Sequence, residues 1–474
     1  MSGTVAAAMG LARAAIIVED RADRGIGARG SGAMAQAGRT GDGLFAEGFK
    51  ESPYWWEAAA PPPETAPELP DRVDVAIVGG GYCGLNAALE LARRGATVAV
   101  LEAERIGFGA SSRNGGMVSG GIKLASMGLD AQFGAERAGR LVAEAMGSLP
   151  FLEDLVAREG IAADYARSGR FLGAWSAAHF RRMEGQVGLY RQLTGMRAEA
   201  LPPSRQREEI GSDYYRGGLV AEAFGSLHPA KYHQGLAEAT RRAGARLVDG
   251  TRVTGVARDG GGFRVGTARG DFAAKEVVVA TNGYTGALTP WMRRRVIPVG
   301  SYMVATEPLA PGVAREILPT GRMISDSKRV MAYYRLSPDG TRVLFGGRAS
   351  FRPVSARVAA PVLHGRMLEI WPRLAGTRIT HAWTGNVAFT FDFLPHMGMH
   401  EGVHYALGCQ GSGVAMMSYL GNQLALKIAG GANRASAFDG LPFPTRPLYS
   451  GNPWFLPAVG LAYRVRDWLD RRAA

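Results

Sequence analysis

Asp74–Glu102 reads DVAIVGGGYCGLNAALELARRGATVAVLE, and the order of its parts decides the fold. An apolar run, Val75 to Val78, enters a glycine cluster in which Gly79, Gly81 and Gly84 keep G-x-G-x-x-G spacing. Leu85, Leu89 and Ala92 then recur at helical spacing, and a second apolar run, Thr97 to Leu101, ends in Glu102, 23 residues after Gly79. Strand, tight turn, helix, strand and acid is the order that a dinucleotide site requires. Gly79 permits the turn, Gly81 lets the backbone approach a pyrophosphate, and Gly84 lets helix and strand pack closely. Tyr82 and Cys83 lie in the same turn and count with the site. The helix start offers free N–H groups and about half a positive charge to phosphates. Glu102, with Ala103 beside it, is placed to accept hydrogen bonds from ribose hydroxyls.

A nicotinamide and a flavin dinucleotide share this first unit, so the distinction lies elsewhere. Just beyond it runs Arg105-Ile-Gly-Phe-Gly-Ala-Ser-Ser-Arg-Asn-Gly-Gly116. The small residues Ser111, Ser112, Gly115 and Gly116 let this loop pass beneath a bulky cofactor, and Arg113 and Asn114 are placed to touch it or the substrate. Far along the chain, Gly408-Cys-Gln-Gly-Ser-Gly413 feeds an apolar helical stretch, Val414 to Ile428. FAD bound in extended form needs two anchors, and its flavin N1–C2=O edge gains negative charge on reduction, which a helix N-terminus stabilises. Gly411, Ser412, Gly413 and Val414 are the residues so placed. Read alone, that loop fits a simple strand ending equally well.

With these loops in view, the chain resembles the D-amino-acid-oxidase-like FAD-dependent oxidoreductases, and within them the gamma-glutamylputrescine oxidase group. The resemblance spans about residues 52 to 470. It rests on Val78-Gly-Gly-Gly-Tyr-Cys-Gly-Leu85, on Leu101 to Gly116, and on Trp383-Thr-Gly-Asn386. Asp213-Tyr-Tyr-Arg-Gly-Gly218, His228-Pro229, Tyr333-Tyr-Arg-Leu336, Pro442-Phe-Pro444 and Tyr463 to Leu469 add to it. The Arg-Ile-Gly-x-Gly-Ala-Ser-x-Arg-Asn-Gly-Gly run is its most specific part. The resemblance implies an α/β fold, a Rossmann-like FAD-binding domain interleaved with an antiparallel-sheet substrate domain. It also implies that Val253 lends backbone groups to the adenine.

Bulk properties exclude several other classes. The 474 residues exceed one ordinary core. A hydrophobic fraction of 46% and a mean hydropathy of −0.05 describe a soluble globular chain. Val5 to Val18, the longest N-terminal apolar stretch, is broken by Arg13, too short to span a bilayer and without a basic lead-in, so we expect a cytoplasmic protein with no membrane partner. The net charge of +13 is nearly all arginine, scattered and often beside acids, as in Arg93-Arg94 and Arg241-Arg242. A nucleic-acid surface needs such charges clustered with aromatics; Arg293-Arg294-Arg295 beside Trp291 is the nearest approach, and a solvated loop explains it. Two cysteines, Cys83 and Cys409, make no disulfide scaffold or zinc cluster. His396, His400 and His404 repeat every four residues, but Gly398 and Gly402 break any helix there, so no metal is expected.

Residues 1–48, rich in Gly, Ala and Arg with a single aromatic, read as a disordered extension. Residues 49–72 form a lead-in in which Ser52-Pro-Tyr-Trp-Trp56 carries enough aromatic weight to pack against something. The FAD-binding domain is assigned residues 73–163, 227–294 and 387–474, the last with the C-terminal tail, and the substrate domain residues 164–226 and 295–386. Val299 to Thr306, Met331 to Leu336 and Arg342 to Gly347 alternate as in an antiparallel sheet with one wet face.

Enzymes of the resembling family oxidise a C–N bond by moving a hydride equivalent to flavin N5, after which the imine hydrolyses. Such a reaction needs placement, a neutral amine and exclusion of water rather than a dedicated acid–base pair. The catalytic candidates are Tyr333, Tyr334, Arg335 and Trp383, whose aromatic walls desolvate an amine. His228, ahead of Pro229 at a strand end, reads as structural. Sarcosine oxidases carry a lysine after the last flavin-loop glycine and another on a substrate-domain strand. This chain has Val414 and Ala415 at the first place and no lysine around Leu344-Phe345, which disfavours sarcosine. Gamma-glutamylputrescine oxidases have a histidine where this chain has Ser412. The expected substrate is a small amine or amino-acid derivative, the acceptor oxygen or another oxidant, and the FAD is non-covalent. A secondary amino-acid oxidase or dehydrogenase is the alternative. A flavin-dependent tRNA-modifying enzyme would need a basic groove, and a non-catalytic flavin binder would lose the aromatic pocket.

Overall fold

The glycine unit folds as the strand Arg72–Val78, the helix Tyr82–Arg93 and the strand Val98–Leu101 in the computed structural model, which describes residues 41–64, 67–430 and 436–472. Both strands are apolar throughout their centres because they lie inside a mainly parallel sheet covered on both faces. Outward from them the sheet adds Arg246–Val248 on one side and Gly270–Val279 on the other. The long Gly270–Val279 strand pairs antiparallel with Gly262–Thr267 near its start and parallel with Val403–Leu407 at its end. Two helices cover one face at close range. A Cβ at Gly84 would sit 2.0 Å from the Gly79 carbonyl oxygen, and one at Gly421 would sit 2.2 Å from that of Cys83. The helix Gly413–Ile428 therefore lies directly on Tyr82–Arg93, and the two N-termini open on the same space.

A second sheet of nine strands runs in the order Phe45–Lys50, Ile379–Phe389, Ile297–Thr306, Val343–Gly347, Ala332–Leu336, Met323–Asp326, Arg170–Gly173, Gly218–Ala221 and Ala198–Leu201. Its central strands pair antiparallel. The expected wet face is absent: all five residues of Val343–Gly347 are buried. The helix Ala356–Ile370, capped by the Ser355 hydroxyl, packs Ala360, Leu363 and Met367 against Val343, Phe345 and Tyr334 on one face. Met303, Ala305, Leu344 and Trp383 pack against Trp55 on the other. Alternation failed as a guide because each face meets protein.

The disordered assignment of residues 1–48 needs correction at its end. Phe45–Lys50 is an edge strand parallel to Ile379–Phe389, and the Phe45 and Phe49 rings pack at a tilt, 4.3 Å between centroids, with the Arg357 guanidinium over both. Two phenylalanines on one edge strand supply apolar burial that composition over 48 residues conceals. Residues 1–40 lie outside the described residues.

Candidate active site

A cavity of about 2920 Å³ opens at the carboxyl ends of Arg72–Val78 and Val98–Leu101 and extends to the nine-stranded sheet. An ordinary small-molecule pocket holds about 300–1,000 Å³, so this space suits a long ligand together with a second one. Gly79, Gly81, Tyr82 and Cys83 line it, followed by Glu102 and Ala103. Ser111, Arg113, Asn114 and Gly115 of the second loop form another wall, and Gly411, Ser412, Gly413 and Val414 a third. Val253, the first residue of the strand Val253–Asp259, also lies at the wall. Gly84 does not line the cavity; it sits behind, at the helix–strand contact.

The turn at Gly79 has φ +108°, open to glycine alone, and a Cβ there would press on the Ala280 carbonyl at 3.0 Å. Glu102 accepts the Gly80 N–H at 2.9 Å and the Glu104 N–H at 3.2 Å, while burial raises its pKa. His233 supports the turn from below. Burial lowers its pKa to about 4, so the neutral ring donates from Nε2 to the Gly80 carbonyl at 2.7 Å. The Cys83 thiol is raised to about 12 by burial and lies 3.9 Å from the Ala406 carbonyl oxygen.

Three tryptophans fix the second loop one residue at a time. Trp56 Nε1 donates to Ser112 Oγ at 2.9 Å, Trp383 Nε1 to the Arg113 carbonyl at 2.7 Å, and Trp55 Nε1 to the Asn114 carbonyl at 2.8 Å. The aromatic lead-in is thus a clamp on this loop. Arg113 lies between the rings of Trp56 and Phe108, 4.6 and 4.3 Å from their centroids. Asn114 holds the loop internally, donating to Tyr82 Oη at 3.1 Å and accepting the Gly116 N–H at 2.9 Å.

Of the four catalytic candidates only Tyr333 faces the cavity. Its hydroxyl is 2.9 Å from Ser301 Oγ, and its ring lies over Gly346 and Gly115, where a Cβ would approach it to 2.3 and 3.1 Å. Tyr334, the next residue on the strand, points to the opposite face, stacked on Phe345 and 2.9 Å from the Tyr215 hydroxyl. Arg335 is buried behind the second loop, donating to the carbonyls of Gly116 and Leu227 at 3.1 and 2.9 Å. Trp383 is the loop clamp already described. Two loop residues are also turned from the cavity. Ser112 donates to the Gly107 carbonyl, and at Gly116 a Cβ would meet the Leu227 carbonyl oxygen at 2.1 Å. His228 caps the helix Pro229–Arg242, with Nδ1 accepting the Lys231 N–H at 3.2 Å.

The sequence reading missed Lys123 and Arg170, which stand with Arg348 at the cavity wall. Lys123 is open to the cavity, donates to the Gln410 carbonyl at 2.6 Å, and is lowered to about 8 by the protein around that space. Arg170 lies over Phe224, and Arg348 touches Phe351 and Phe389. None of the three has a carboxylate partner among the described residues. Lys123 is one of only six lysines and follows the glycine loop closely, which was the available signal. Arg170 carried none, since strand-end arginines look alike in sequence.

Unpartnered buried polar atoms gather here too: Arg170 Nε, Ser325 Oγ, Arg348 Nε, Asp392 Oδ2 and Gln410 Oε1 all belong to cavity residues. Such groups are costly unless a ligand or water completes them. The two helix N-termini, Glu102 and the clamped loop fit FAD: the start of Tyr82–Arg93 would hold the pyrophosphate, Glu102 a ribose, and Gly411–Val414 with Ser111, Arg113, Asn114 and Gly115 the flavin.

The sequence matches the family described as FAD dependent oxidoreductase (DAO) over residues 74–426. The gamma-glutamylputrescine oxidoreductase of Escherichia coli is 32% identical over 401 residues, 84% of this chain and 93% of that protein. The crystal structure of glycine oxidase from Geobacillus kaustophilus superposes with a TM-score of 0.63 at 25% identity, over 80% of this chain and 99% of that one. L-proline dehydrogenase from P. horikoshii shares the fold, with a TM-score of 0.61 at 22% identity, over 77% and 95% of the two chains. Among the described residues no helix is long and apolar enough to cross a membrane.

Proposed function

Since the chain belongs to the FAD dependent oxidoreductase (DAO) family, we propose that it oxidises the C–N bond of a small amine bearing a distal carboxylate, in the manner of gamma-glutamylputrescine. Bound FAD would supply the hydride acceptor. The single observation behind the choice of substrate is the cavity's charge: Lys123, Arg170 and Arg348 lack carboxylate partners among the described residues, while the acids at the wall are Glu102, Glu104 and Asp392. A free diamine meets repulsion there, and a gamma-glutamyl amide brings a compensating carboxylate. Tyr333 and Met303 form an apolar wall that excludes water and favours the neutral amine. Cys83, protonated and directed at a backbone carbonyl, supports a dissociable cofactor. We assign the reaction to the cytoplasm, with oxygen or another oxidant as acceptor. The second reading is an oxidase or dehydrogenase of glycine or a small secondary amino acid, and the similarity to glycine oxidase supports the first of these.

The test compares gamma-glutamylputrescine, putrescine and N-alkyl amino acids as substrates for wild type and Arg348→Met. A charged hydrogen bond contributes about 1.5–3 kcal/mol, so the variant loses about tenfold to a hundredfold in kcat/KM on the carboxylated amine alone. Putrescine as the best substrate, with a ranking unchanged in Arg348→Met, contradicts the proposal.

A further inference from the structure

The last helix, Leu456–Arg472, turns its acids inward and leaves four of its apolar side chains outward. Asp467 accepts the backbone N–H groups of Arg329 and Val330 at 2.9 and 3.0 Å, and Asp470 pairs with the Arg329 guanidinium. Tyr463 and Arg466 line the cavity. The stripe left outside consists of Leu461, Val465, Trp468 and Leu469, between 40% and 51% exposed, at helical spacings of three and four. Arg464 and Arg472 are its exposed charged residues, the Arg472 guanidinium lying 3.8 Å from the Trp468 ring centroid. Ahead of the helix, Leu448 and Trp454 line the cavity and are also exposed, at 87% and 55%.

We propose that this helix lies along an anionic lipid bilayer, its apolar stripe entering the headgroup region and Arg464 and Arg472 meeting lipid phosphates. A helix on a globular surface ordinarily shows polar residues to water. A tryptophan and branched aliphatics flanked by arginine form the composition of an interfacial helix, in which long cationic stems reach up from the apolar layer. Charge selects lipid over a second copy of this chain. A symmetric dimer through the stripe sets Arg464 and Arg472 near their own counterparts, with no side-chain carboxylate on the stripe to offset them. The net charge of +13 adds attraction to an anionic surface. The lack of a spanning helix concerns a different arrangement, since an interfacial helix crosses nothing.

Flotation of the flavin-loaded, full-length protein with phosphatidylcholine vesicles, with and without phosphatidylglycerol, tests this. The protein floats with the anionic vesicles, and about tenfold less with neutral ones or at raised ionic strength. Trp468→Glu combined with Leu469→Glu abolishes flotation while flavin content and Tm stay at wild-type values, because both side chains point outward. Arg464→Glu weakens the preference for anionic lipid. Wild type left in the aqueous phase, or a double variant that floats like wild type, overturns the proposal. So does a protein that ignores vesicles but sediments as a dimer which the double variant dissociates.

Discussion

Tyr333 and Arg335 sit two residues apart on one strand, yet only the tyrosine reaches the cavity; the arginine is taken up behind the second loop by the carbonyls of Gly116 and Leu227. Arg335→Met therefore leaves buried acceptors unpaired and lowers stability by about 2–3 kcal/mol, read by denaturant unfolding, with the order of substrate preference unchanged. A changed order with undiminished stability contradicts this placement. Lys123 gives a pH signature. Its pKa is about 8 in the folded chain against an ordinary 10.5, so the unfolded chain keeps the proton longer and stability rises with pH between those values. Below about 8 the ammonium is charged and attracts a substrate carboxylate; above it KM rises, and in Lys123→Met that rise disappears. A KM profile identical in both proteins removes Lys123 from recognition. The glycine loops were legible in the sequence because their spacing states a backbone requirement. The cavity's cations were not, because an arginine's partner depends on the strand that folds beside it, and nothing local to Arg335 or Arg348 separates a strut from a ligand.

Elements carried most of the readable signal where one side of them repeats. The helix Tyr82–Arg93 and the strands on either side of it lie where apolar spacing put them. The nine-stranded sheet was harder, since covering both faces erases the period of two, as in the fully buried Val343–Gly347. The N-terminal edge strand was missed because its pairing partner, Ile379–Phe389, lies more than 300 residues away. Phe45 and Phe49 attach this strand, so Phe45→Ala combined with Phe49→Ala lowers stability by about 2 kcal/mol. Thermal or urea unfolding equal to wild type returns these residues to an unattached extension.

Across the whole molecule, two sheets and two helix N-termini converge on one cavity large enough for a dinucleotide and a substrate. The aromatic lead-in clamps the loop between them, which ties a segment preceding the FAD-binding unit to the geometry of the site. The central claim is that this cavity holds FAD and passes to it electrons from a carboxylate-bearing amine. Its most direct test is an anaerobic titration followed by absorbance: the yellow protein is mixed with gamma-glutamylputrescine or with putrescine, and the flavin band is watched. The account predicts bleaching by the gamma-glutamyl compound at concentrations about tenfold to a hundredfold below those putrescine requires. A flavin band that putrescine bleaches at the lower concentration, or that neither compound bleaches, contradicts it.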